Sequence, residues 1–260
     1  MGMKTKLTNS AVIIVFLLCG LSAQAQESHI GNLTGEATRG KALYERYCIF
    51  CHGTYGDGRG ESAPYLDPKP RDFTKAVYKC RSTPSGSLPL DSDLYDTIGR
   101  GMHASGMPAW KPLLRQDRAD LVAYIKTFSS LFQEQKPDQP VTIPPEPPAT
   151  PESIKNGADL FQSNNCWSCH GKDGRGHGPS ASSLTDSQGY PITPFDFTSG
   201  REFKCGDTDQ AMFRDLMTGL DGTPMPSFSD SMKPDQMWDV VHYIRTLSAN
   251  KKKLPAGNEF

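Results

Sequence analysis

The sequence contains the same passage twice. "CIFCHGTYGDGRG" at residues 48–60 returns as "CWSCHGKDGRGHG" at 166–178, displaced by 118 positions. The same displacement sets "RGMHASGMPAW" (100–110) on "TGLDGTPMPSF" (218–228), so Cys51 to Met107 and Cys169 to Met225 both span 56 residues. Between these anchors the register drifts and recovers: "RDFT" (71–74) matches "FDFT" (195–198) at 124, and "YKC" (78–80) matches "FKC" (203–205) at 125. A fixed total span over a drifting interior suggests two ends that meet at one point, with freedom in the loop between. A chain of 260 residues built this way suggests two similar domains, each long enough to bury its own core.

Helix signals repeat with the motifs. A helical stretch precedes each Cys pair, "EATRGKALYERYC" (36–48) and "ESIKNGADLFQSNNC" (152–166), and an amphipathic one follows each Met, over 116–132 and 233–248. There Leu121, Tyr124, Ile125 and Phe128 fall on one face, as do Val240, Val241, Ile244 and Leu247. A shorter helix before each Met, at 91–101 and 207–219, is expected to start at an Asp cap. Residues 134–151 are proline-rich, which favours an extended, semi-rigid spacer. The expected fold is therefore all-α, with domains at 36–133 and 152–249 and a linker at 134–151.

Cys-x-x-Cys-His admits three chemistries. Zinc takes four N or S ligands in a closed tetrahedron, and neither copy offers a second knuckle beside the first. A thioredoxin-like dithiol sits at a helix start after a strand, and no strand is read there. Haem c attachment uses the two thiols as thioethers and the next His as the proximal iron ligand, which matches both copies. Cys48, Cys51, Cys166 and Cys169 are then the haem thioethers, with His52 and His170 on the irons. Met107 and Met225, in "GMP" and "PMP", are the candidate distal ligands, because a thioether on iron suits electron transfer. A methionine is more often core filler, but the equal Cys–Met spans weigh against that here. Met102 has Leu220 as its counterpart and reads as packing; His103 falls on Asp221 and is not read as a ligand. His177 and His242 also lack counterparts and read as solvated or core histidines.

On "CIFCHG", "CWSCHG", "GMPAW" and "PMPSF" the chain resembles a di-haem cytochrome c made of two class I cytochrome c domains. The resemblance covers roughly residues 36–132 and 152–248. It implies two covalently bound haem c groups, and first and last helices that cross near Gly40 and Tyr124 in one domain and Gly157 and Tyr243 in the other. It also implies electron transfer between redox protein partners. The "GDGRG…PKPRDFT" and "GRGHG…TPFDFT" stretches look like cytochrome domains that accompany periplasmic or membrane-attached oxidoreductase complexes. The alternative is a di-haem enzyme, a thiosulfate dehydrogenase or peroxidase, with one non-Met distal ligand.

Cys80 and Cys205 are left over at matched positions. If the domains pack about a pseudo-twofold axis, such residues can meet, and an oxidising compartment would join them as an interdomain disulfide. The rivals are a thiolate on iron, as in some related di-haem enzymes acting on sulfur compounds, and a pair of buried free thiols. The compartment is read from the N-terminus: Lys4 and Lys6, the apolar run 11–21 and "SAQA" (22–25) look like a cleavable signal peptide over 1–25. Cys19 lies within it. A periplasmic protein without a membrane span after cleavage is expected. A formal net charge of −1 and a pI near 6.6 argue against a nucleic-acid partner. Lys251–Lys253 read as a solvated tail.

Overall fold

The computed structural model describes residues 1–2 and 26–249. Residues 3–25 of the expected signal peptide, with Cys19, and the Lys251–Lys253 run lie outside the described residues. The chain forms two helical units of one plan. The first runs from a hairpin, β1 (Glu27–Ile30) and β2 (Leu33–Glu36), through α1 (Ala37–Tyr47), the single turn α2 (Ile49–His52), α3 (Asp91–Arg100), α4 (Arg115–Lys126) and α5 (Leu131–Glu134). The second comprises α6 (Pro151–Ser163), α7 (Trp167–His170), α8 (Asp209–Thr218) and α9 (Pro234–Ala249).

The all-α expectation needs one correction, the two-stranded antiparallel sheet β1–β2. Strands of four residues are too short to show a period-two pattern, and the hairpin is held from outside. Ser28 Oγ donates to the Ala119 carbonyl at 2.7 Å, and Glu36 N donates to Asp120 Oδ1 at 2.8 Å, so both strands are tied to α4. Asp120 also takes a two-pronged contact from Arg39, at 2.8 and 2.9 Å.

Each unit is organised by one helix crossing. α1 crosses α4 where Gly40 lies against the Asp120 carbonyl and Tyr124, and α6 crosses α9 where Gly157 lies against the Asp239 carbonyl and Tyr243. A methyl at either glycine would overlap the facing backbone, so close approach requires a residue without Cβ. The apolar faces read from the sequence point inward: Leu121, Ile125, Val240, Val241 and Ile244 are all buried. α4 ends at Lys126, earlier than expected, but Phe128 still packs on Tyr44 with ring centroids 5.1 Å apart. The caps also differ from the expected Asp. Thr208 Oγ1 accepts from Ala211 N at 3.1 Å to start α8. α3 begins after Leu90, whose N–H donates to Asp93 at 2.9 Å, so the aspartate acts from inside the first turn.

The two units are joined covalently and by charge. Cys80 and Cys205 form a disulfide with Cα atoms 5.1 Å apart, both residues buried. Beside it the Arg81 guanidinium, fully buried, donates to the Thr218 carbonyl at 2.6 Å and pairs with Asp221 at 2.8 Å. Asp221 also accepts from Ser85 Oγ and Gly86 N, each at 2.8 Å. His103 Nε2 lies 2.7 Å from Glu202. Positions 103 and 221 are counterparts in the repeat, and each reaches across to the other unit. Residues 135–150 form neither helix nor strand. They are anchored to both units: Val141 N donates to the Ser82 carbonyl at 2.7 Å, and Ile143 packs against the second core. Glu146 approaches His242 at 3.4 Å.

Candidate cofactor sites

Each Cys-x-x-Cys-His motif folds as a one-turn helix, α2 or α7, after which the chain turns sharply through glycines. Gly53 and Gly171 both have φ +78, a left-handed conformation that glycine adopts without steric cost. The turn carries the chain back over the motif, where Gly58 N donates to the His52 carbonyl at 2.9 Å and Gly176 N to the His170 carbonyl at 2.7 Å. The glycine-rich runs of the repeat are therefore a local structural requirement of the motif.

The imidazoles are held identically. His52 Nδ1 lies 3.1 Å from the Arg71 carbonyl, and His170 Nδ1 lies 3.1 Å from the Phe195 carbonyl. A carbonyl only accepts, so Nδ1 carries the proton and Nε2 keeps its lone pair, the arrangement that orients a metal-ligating histidine. Burial pushes His52 down to about 4, against a smaller upward pull from its backbone hydrogen bond, and lowers His170 for the same reason. Both rings are neutral at neutral pH. Each stacks on the phenylalanine of the repeated Asp-Phe-Thr, His52 on Phe73 at 4.4 Å and His170 on Phe197 at 4.5 Å. That tripeptide is locked by its own aspartate: Asp72 accepts from Thr74 N and Asp196 from Thr198 N. Phe73 and Phe197 were not singled out from the sequence, although the recurrence of "DFT" at the offset of the two carbonyls was the available signal.

Met107 and Met225 each line a cavity together with one of these motifs. The first cavity, of about 130 Å³, is lined by Cys48, Cys51, His52 and Met107 among apolar side chains that include Trp110 and Ile125. The second, of about 360 Å³, is lined by Cys166, Cys169, His170 and Met225 with Phe228 and Ile244. The structure thus brings together the expected attachment, proximal and distal residues in each copy. Ser105 and Thr223, at matched positions two residues before the methionines, accept from Met107 N at 3.2 Å and Met225 N at 3.1 Å. Met102 N and Leu220 N donate to the Met107 and Met225 carbonyls, each at 3.1 Å. These bonds close both methionine loops in the same shape. Met102 and Leu220, read as packing, also line the cavities.

The donor chemistry separates the three readings of the motif. Burial pushes the Cys48 thiol up to about 12 and Cys166 to about 11, so both are protonated at neutral pH and poor nucleophiles for disulfide exchange. Among the described residues no group of three or more His, Cys, Asp or Glu side chains could close a metal cage. A haem fits instead: each mostly apolar cavity is lined by two thiols, an imidazole and a thioether. Groups suited to its carboxylates also line the first cavity. The buried Tyr78 hydroxyl, on the wall of the first cavity, has no hydrogen-bond partner among the described residues. Arg71 lines the same cavity.

Two of the remaining histidines are placed as follows. His242 is buried, with Ser153 Oγ 3.0 Å from Nδ1, and stacks on Trp238, a core role. His103 pairs across the seam with Glu202, a use that its mismatch with Asp221 concealed.

Known proteins share this pattern. The family described as Cytochrome c matches residues 154–248, and the family described as Cytochrome C oxidase, cbb3-type, subunit III matches residues 35–125. The cbb3-type cytochrome c oxidase subunit CcoP of Helicobacter pylori is 23% identical over 198 residues, 75% of this chain. The chain spans 58% of that relative's length. A solved chain of the Kuenenia stuttgartiensis reducing HAO-like protein complex Kustc0457/Kustc0458 is 43% identical, with a TM-score of 0.79. That likeness covers 80% of this chain and 95% of the other.

Proposed function

This chain belongs to the cytochrome c family as a di-haem cytochrome c with two covalently bound haem c groups, and from that premise we propose how it carries electrons. Cys48 and Cys51 attach one haem and Cys166 and Cys169 the other. His52 and Met107 would hold the first iron, and His170 and Met225 the second. The observation that carries this reading is the duplicated donor set, in which each imidazole is held through Nδ1 by a backbone carbonyl and lines one cavity together with a methionine.

A haem supplies an iron that exchanges one electron between ferrous and ferric states. The chain fixes the donors, excludes water with the apolar walls, and sets each potential through burial and neighbouring charge. With an imidazole and a thioether of the chain available to each iron, neither site would keep a position for substrate, which favours a carrier over a di-haem dehydrogenase or peroxidase. We place the protein in the periplasm as an electron-carrying subunit, with domains at 36–133 and 152–249 and residues 134–151 as the connection. The disulfide Cys80–Cys205 supports an oxidising compartment. Among the described residues no helix is long and apolar enough to cross a membrane. The printed names of the two relatives, an oxidase subunit and a chain of an HAO-like complex, support a partner of the oxidoreductase class.

The test is the weak far-red absorption of the ferric protein that marks a thioether on iron. Two equivalents per chain are expected, with Met107→His and Met225→His each removing one. Absence of the band, or its loss in full from either single variant, refutes the ligand assignment.

A further inference from the structure

Three cations gather at the seam between the two cavities. Lys79 adjoins the disulfide residue Cys80, is 7% exposed, and lines both cavities. Arg71 lines the first cavity and not the second; Lys204, the counterpart of Lys79 in the repeat, lines the second and not the first. Burial, and then the proximity of Arg71 and Lys204, push Lys79 down to about 8. Burial also lowers Arg71 and Lys204. Carboxylates act on the group only from a distance: Asp186 on Lys79 and Arg71, Asp72 on Arg71, and Asp67 on Lys204. Among the described residues none of the three side chains has a salt bridge or hydrogen bond, while the neighbouring Arg81 is fully paired. A buried cation without a counter-ion is costly, and Lys79, with the half-buried Arg71 and Lys204 lining the same two cavities, calls for anions inside those cavities.

We propose that Lys79 is a shared anion-binding residue of the two haem sites, its ammonium serving the carboxylate-bearing edge of both haems, with Arg71 serving the first alone and Lys204 the second alone. This inference rests on the proposed function, since the anions are the propionates of the haems. A cation beside both irons favours the extra electron in each. Lys79 therefore raises both reduction potentials at once, and its position on the seam makes the charge state of each haem felt by the other.

Spectroelectrochemical titration of the full holoprotein tests this, with midpoints assigned through the Met107→His and Met225→His variants. Lys79→Met should lower both midpoints, each by about tenfold in the reduction equilibrium, or about 59 mV for a one-electron couple. Arg71→Met should lower only the first midpoint and Lys204→Met only the second. Lys79→Arg should keep both near the wild-type values. Lys79→Gln provides the same test should Lys79→Met fail to fold. A Lys79→Met or Lys79→Gln variant that carries two haems and moves one midpoint or neither overturns the inference alone. A wild-type chain with fewer than two haems overturns the proposed function, and the inference with it.

Discussion

Asp221→Asn gives the sharpest test of how the two units are held together. Among the described residues the Asp221 carboxylate forms the salt bridge to Arg81, whose side chain is 1% exposed, while Asp221 itself is 19% exposed. Breaking a buried pair from one side costs about 3–5 kcal/mol, because the surviving charge stays buried and unpaired. The partial opening of Asp221 to water reduces this, as do the carbonyls of Thr218, Tyr78 and Pro84, which still accept from Arg81. A loss of about 2–4 kcal/mol is therefore expected. Asparagine keeps the shape but has one acceptor oxygen where Ser85 and Gly86 use two, so the loss reports the charge together with one hydrogen bond rather than packing. In urea unfolding with the disulfide intact, Asp221→Asn and Arg81→Met should each destabilise. The double variant should lose clearly less than their sum, with a coupling above about 1 kcal/mol. Additivity to within about 0.5 kcal/mol would mean that the pair does not act as a unit, and the argument would fail.

Two further outcomes follow from the geometry. Gly157→Ala places a methyl in the Asp239 carbonyl, where no rotamer relieves it. Overpacking of about 1–3 kcal/mol should exceed the gain of up to about 1 kcal/mol in helix propensity. The thermal midpoint should fall, and an unchanged or raised midpoint would place the crossing elsewhere. Asp215, on the wall of the second cavity, has its carboxyl raised to about 6 by burial, against the lowering pull of Arg214, Arg100 and Arg81. As pH rises through about 6 it gains a negative charge, which disfavours an added electron, so the second midpoint should fall while the first stays level. Asp215→Asn should flatten that slope, and a slope that survives the substitution excludes Asp215 as its source.

What the sequence disclosed depended on whether a feature was repeated. The Cys and Met positions and the matched pair Cys80 and Cys205 all recur, and two copies aligned against each other expose them, while the helix crossings at Gly40 and Gly157 were implied by the family resemblance. The hairpin at 27–36 has no counterpart and is held by Ala119 and Asp120, about ninety residues away, so nothing local announced it. The seam was hidden for a different reason. His103 and Asp221 differ in chemistry, and that difference argued only against a ligand role for His103, yet each is matched to a partner on the other unit. A contact between copies depends on how they dock, which comparison of the copies cannot reveal. The role of Lys79 was hidden in the same way, since "YKC" and "FKC" look equivalent while Lys79 alone borders both cavities.

The unlike partners of positions 103 and 221 bear on how such a protein can change. In an assembly of two identical subunits every substitution occurs twice, and an improvement on one side must be tolerated on the other. Here Asp221 binds Arg81 while His103 faces Glu202, so each half of the seam can be altered singly. Fusion also fixes the stoichiometry at one of each kind and removes any dependence on concentration. The chain is in effect an obligate heterodimer carried on one polypeptide, whose two centres can drift apart in potential without coming apart in space.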